Sequence, residues 1–144
     1  MIKIYQKTIK EPRLRSIKRI KVGSWVHVIK PDEKEIAQLI DELQLEEGLI
    51  RDALDIHEVP RLEIKKGVTY IFTRFPIQNG LEITTSPILI AVGEDFVVTI
   101  AQTEVSAIED LIRSKKQKAL PVVFSTTQKT KLISLFLYEI HKRY

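Results

Sequence analysis

The sequence predicts an α/β protein: an α/β/α sandwich with a mixed central sheet between two helical layers. Three observations predict it. The periodicities run in the order strands, helices, strands, helix, helix, which suits a layered fold. Two apolar runs, Ile88–Val92 and Phe96–Val98, read as central strands covered on both faces. Stretches beginning near Asp32, Thr103 and Ser125 repeat apolar residues every three or four positions, as helices with one buried stripe do.

Composition narrows the classes. The chain has 144 residues, 44% hydrophobic and 29% charged, enough for one domain with a core. The absence of cysteine excludes disulfides and thiolate metal sites and fits a reducing compartment. Met1 is followed by alternating apolar and charged residues, not by the apolar block of a signal peptide. No run approaches the ~20 apolar residues that span a bilayer, so the chain as given reads as soluble. Charge is uneven. Residues 1–22 carry +7 and the rest −3. A basic segment suits nucleic acid or anionic lipid. With only Tyr5 interleaved among its bases, it reads instead as an edge strand kept soluble by lysines, and nucleic acid is not the expected partner.

Taken in order, Ile2 and Ile4 alternate with Lys3 and Tyr5 as a first strand. Pro12 breaks the segment, and Leu14, Ile17 and Ile20 have no assigned place. Trp25–Ile29 is a strand with Val26 and Val28 on one face and Trp25, His27 and Ile29 on the other. His27 reads as a partly buried strand histidine, not a ligand. Pro31 and Asp32 open a helix with a capping box to Glu35 and a stripe of Ile36, Leu39, Ile40 and Leu43. Its acidic outer side reads as a solvated face.

Leu49–Glu63 organises the rest. Leu49, Ile50, Ala53 and Leu54 fall on one side of a short helix, and Arg51, Asp52 and Asp55 on the other. Pro60 ends that helix and biases Val59 toward extended backbone. A half-buried strand follows from Arg61. Asp52 and Asp55, on one helix face, are the candidate metal ligands, because a hard cation takes oxygen donors. Magnesium uses only one or two carboxylates and keeps its waters, so a second surface would have to complete the site. The alternative is a surface ion pair of Arg51 with Asp55 at i,i+4.

Lys65-Lys66-Gly67 is a turn, Val68–Phe75 a strand, and Gln78-Asn79-Gly80 a second turn. Gly93-Glu94-Asp95 joins the two central strands. The next helix runs from Thr103 to Lys116 with Val105, Ile108, Leu111 and Ile112 inward, and Lys115, Lys116 and Lys118 end it. After Pro121, Ser125-x-x-Gln128 is a second capping box. The last helix buries Ile133, Phe136, Leu137, Ile140 and Tyr144, with Leu132 and Leu135 widening the stripe. No Gly or Pro ends it, so it is expected to continue in a longer protein; the alternative is a C-terminal helix docked on the sheet. No phosphate loop, Gly-x-Ser-x-Gly or His-Glu-x-x-His occurs, so an enzyme is not expected. His57 and Glu58 read as polar residues shaping the turn.

Three segments carry a family resemblance. Leu-x-x-Asp-Ala-Leu-Asp-x-His-Glu-x-Pro-Arg-x-Glu, from Leu49 to Glu63, resembles the signature of the cytosolic N-terminal domain of CorA-type magnesium transporters. Trp25-Val-His-Val-Ile-Lys-Pro31-Asp-Glu-Lys-Glu35 is similar to that family's entry into its first helix. Pro87-Ile-Leu-Ile-Ala-Val and Asp95-Phe-Val-Val-Thr-Ile are similar to its central hairpin. The resemblance implies a divalent-cation-sensing regulatory domain at residues 1–124 on the cytoplasmic side of the membrane. It implies that 125–144 start a stalk helix. It implies a homo-oligomer, a pentamer, and weak Mg2+ binding between subunits, with Co2+ or Zn2+ as alternatives. Asp52 matches the family's interfacial aspartate, and Arg51 stands where an acidic residue is common. The Gly-Met-Asn pore motif and membrane helices are absent, so transport itself would lie outside these residues.

Overall fold

The computed structural model describes residues 1–114 and 124–144. Seven strands form one sheet: β1 (Ile2–Gln6), β2 (Arg15–Ile17), β3 (Ser24–Ile29), β4 (Arg61–Lys65), β5 (Val68–Asn79), β6 (Glu82–Val92) and β7 (Phe96–Ala101). Their order is β2-β1-β3-β7-β6-β5-β4. β3 and β7 run parallel, with Ser24 opposite Phe96 and Ile29 opposite Ala101. All other pairs are antiparallel. The sheet is therefore mixed, as expected. All of β3 and all of β7 but Phe96 are buried, because helices cover both faces there.

The alternation along β3 sorts its side chains between two cores. Val26 and Val28 pack under α1 (Glu33–Leu43) and α2 (Glu47–Asp52), with Ile36, Leu39, Leu49, Ile50 and Tyr70. Trp25 and Ile29 pack under α3 (Ser106–Arg113) and α4 (Lys129–His141), with Ile108, Leu111, Leu132 and Phe136. Helices thus lie on both faces, and the fold is an α/β/α sandwich. Among the described residues no helix is long and apolar enough to cross a membrane.

Several elements differ from expectation. Residues 7–22 contribute the edge strand β2, whose Ile17 faces Ile4. Lys7 is not a solvated edge lysine. It is buried against the ring of Phe124, and burial lowers its pKa. The capping box of α1 forms as read: Glu35 N–H donates to Asp32 Oδ1 at 2.8 Å, and Asp32 N–H to Glu35 Oε2 at 3.0 Å. The second box does not form. α4 starts after Gln128 with no side-chain cap, and the Ser125 hydroxyl lies against that of Thr127 instead. The stripe of α4 is also rotated. Leu132, Leu135, Phe136 and Ile140 are buried, Leu137 and Tyr144 are exposed, and the helix ends at His141. α4 lies on the sheet, with Phe136 and Trp25 rings 4.8 Å apart. α3 starts at Ser106, later than Thr103, and its expected end at Lys115, Lys116 and Lys118 lies outside the described residues, as does Pro121.

One polar chain crosses the second core. Trp25 Nε1–H donates to Thr99 Oγ1 at 2.9 Å, and His27 Nδ1 lies 2.8 Å from the same hydroxyl. His27 Nε2 is 3.2 Å from Glu109 Oε1 on α3. A carboxylate only accepts, so Nε2 carries a proton toward Glu109. Buried polar groups must be paired, and this chain pairs all four.

Candidate metal site at the α2–β4 turn

Burial of Leu49, Ile50 and Ala53 fixes α2 to the sheet, and the backbone N–H of Glu46 donates to Tyr70 Oη at 2.8 Å at its start. α2 ends at Asp52. Tight turns follow, in which Leu54 N–H donates to Arg51 O, Asp55 N–H to Asp52 O and Glu58 N–H to Asp55 O. Asp52 and Asp55 therefore do not share a helix face. Asp55 sits in the turn, and its Oδ1 accepts from the backbone N–H of His57 at 2.9 Å, an Asx turn. The expected Arg51–Asp55 pair is also not made. Arg51 reaches back to Glu47 at 2.9 Å and across to Glu33 on α1 at 3.2 Å.

Asp52 has a different partner. Arg61, the first residue of β4, donates from Nη2 to Asp52 Oδ2 at 2.7 Å. Its Nε donates to Glu63 Oε1 at 2.7 Å and its Nη1 to Glu58 Oε1. Its guanidinium carbon lies 4.1 Å from the ring centroid of Phe72, its cross-strand neighbour on β5. The carboxylates, Glu63 first, hold the guanidinium pKa above its ordinary value against partial desolvation. One guanidinium thus serves three carboxylates, and these are graded in exposure: the Glu58 side chain is 11% exposed, Glu63 32% and Asp52 47%.

A second arginine fixes the turn. Arg74 on β5 donates to the carbonyl of Glu58 at 2.6 Å, to that of Ile56 at 3.2 Å and to that of Thr85 at 2.8 Å. It satisfies backbone carbonyls the turn leaves over and does not pair with the carboxylates of the cluster. Arg61 and Arg74 were not singled out from sequence. For Arg61 a signal existed: an arginine three residues after Glu58 and two before Glu63, the second spacing placing both on one face of a strand.

Chemically the cluster offers hard oxygens and no sulfur, a donor set that fits magnesium better than zinc. Among the described residues no three His, Asp or Glu side chains are placed to hold a metal ion. Asp52 is a half-exposed carboxylate paired with Arg61, and the described residues alone do not complete a cation site.

Comparison with known proteins gives the family and the fold. The profile of the CorA-like Mg2+ transporter protein family matches residues 21–144. No curated protein matches the sequence. The fold is similar to the complete CorA magnesium transporter from Methanocaldococcus jannaschii (TM-score 0.81, 20% identity), covering 100% of this chain and 45% of that one. It is equally similar to the soluble domain of the same transporter (TM-score 0.81, 21% identity), covering 100% and 57%. The ZntB cytoplasmic domain from Vibrio parahaemolyticus shares the fold at TM-score 0.72 and 10% identity, over 98% and 57%. The chain thus spans about half the length of the structures it matches. With the family profile covering all but the first 20 residues, the chain belongs to the CorA-like Mg2+ transporter protein family.

Proposed function

We propose that residues 1–144 are the cation-sensing, cytoplasmic part of a CorA-like transporter, working as a homo-oligomer, a pentamer when complete. The observation that carries this reading is Asp52, a half-exposed carboxylate at the end of α2 beside a turn locked by Arg74. Asp52 of one subunit and a carboxylate of its neighbour would repel each other. A hydrated Mg2+ between them removes that repulsion and favours the arrangement that brings them together. Falling cytoplasmic magnesium then releases the contact and the pore opens. The cation has no role in bond chemistry here, and the domain is not an enzyme. Asp55, committed to its own turn, contributes shape and local charge.

The test is ion uptake by the complete gene product containing residues 1–144, reconstituted in vesicles with varied internal Mg2+. Wild type should close as internal Mg2+ rises, and Asp52→Asn should need several-fold more Mg2+ for the same closure. Equal closure in the two would sink the sensing role. Uptake of Zn2+ or Co2+ but not Mg2+ would change the transported ion and leave the fold assignment untouched.

A further inference from the structure

We infer that Arg61 is a resident counter-cation for Asp52, which a divalent ion must displace, and that it sets the concentration at which the site fills. This rests on the reading of Asp52 as a cation ligand.

The geometry is that of a latch with one weak tooth. Arg61 holds Glu63 through Nε, Glu58 through Nη1 and Asp52 through Nη2, and lies over Phe72. Glu58 is the most buried of the three carboxylates, so its bond is the best shielded from water. Asp52 is the most exposed, so its bond is the most screened and the first to yield. If Asp52 turns to a cation, Arg61 stays parked by Glu58, Glu63 and Phe72 and does not swing away. The exchange therefore needs no backbone movement. It also leaves a positive charge beside the incoming ion, which weakens binding. A site built this way fills only when the divalent cation is abundant, as a sensor requires and a scavenger does not.

The experiment is a Mn2+ titration of the 15N-labelled 144-residue chain, following paramagnetic broadening of the amides from Asp52 to Glu63. Mn2+ is an oxygen-preferring divalent probe that works in a single subunit even when binding is weak. Arg61→Gln should lower the half-broadening concentration about two- to five-fold, the range an exposed ion pair accounts for. Adding Asp52→Asn to that variant should remove the gain. Arg61→Lys, which keeps the charge and loses the fork, should fall between. It also serves if Arg61→Gln loses its dispersed spectrum. Unchanged broadening in Arg61→Gln, with Asp52→Asn still reducing it in the wild-type background, would overturn the latch and leave the cation site standing. Broadening indifferent to Asp52→Asn in both backgrounds would remove the cation site itself, and the latch with it.

Discussion

Glu109 shows how one residue can tie a helix to a sheet and make stability depend on pH. It is 6% exposed, yet the hydrogen bond from His27 holds its carboxyl pKa below the ordinary value, against burial, with Lys3 and Arg113 adding to the effect. A carboxyl depressed in the folded state binds a proton more readily when unfolded. Its contribution is therefore complete above the unfolded value of about 4.3 and is lost as pH falls through the lower folded value. Glu109→Gln should cost about 1–3 kcal/mol at pH 7, because His27 loses a charged acceptor. It should cost less at an acid pH below the folded value, as read from urea midpoints at the two pH values. An equal cost at both would mean that the charge of Glu109 is not what holds α3. At this scale the sequence was half legible. His27 read correctly as a strand residue on the face of Trp25, because alternation assigns faces, but it is fully rather than partly buried. Glu109 as its partner was not readable, since faces carry no information about which distant side chain completes a pair. The same holds for Asp52, found by its place in a motif, while its bond to Arg61 depends on β4 folding back beside α2.

At the scale of elements, the two capping patterns are a natural control. Both read alike, and only Asp32 caps its helix. Asp32→Ala should cost about 1 kcal/mol, a fall in Tm of ~3–4 °C. Ser125→Ala should cost less than that, because no helix N–H depends on it and its recorded side-chain bond is to the Thr127 hydroxyl. Thermal scans of both variants decide this, and equal losses would refute the assignment. The apolar pattern overran α2 for a physical reason. Ala53 is buried and Leu54 packs on the same core, so the turn after the helix keeps the helix's inner side. The pattern of α4 pointed wrongly because apolar residues occupy most of its circumference from Leu132 to Leu137. Only the fit of Phe136 against Trp25 selects the buried side, and that is a tertiary fact. The capping box of α1, the central strands and the turn at Gly67, with its φ of 77°, were legible because each is local.

For the whole molecule, the layered architecture followed from strand and helix order, whereas the strand order in space did not, since periodicity is silent on neighbours. That order joins two antiparallel units, β2-β1-β3 and the meander β7-β6-β5-β4. The parallel β3–β7 ladder is the seam between them, and it pairs residues far apart in the chain. Closing that ladder encloses both helices of the first layer in one loop, so it carries the largest entropy cost of any strand pair and should form late in folding. A chain nicked at Lys30 tests the idea. Residues 31–144 retain the meander, and the peptide of residues 1–30 carries the three-stranded unit together with Trp25, the sole tryptophan. The peptide should dock along β7 in a slow, concentration-dependent step, with the tryptophan emission shifting to the blue as its ring enters the core beside Phe136. If the emission stays that of exposed indole at any concentration, the seam is not a surface on which the two pieces can recognise each other. If it shifts, the protein is assembled at its centre as two molecules would be, by docking one preformed edge onto another.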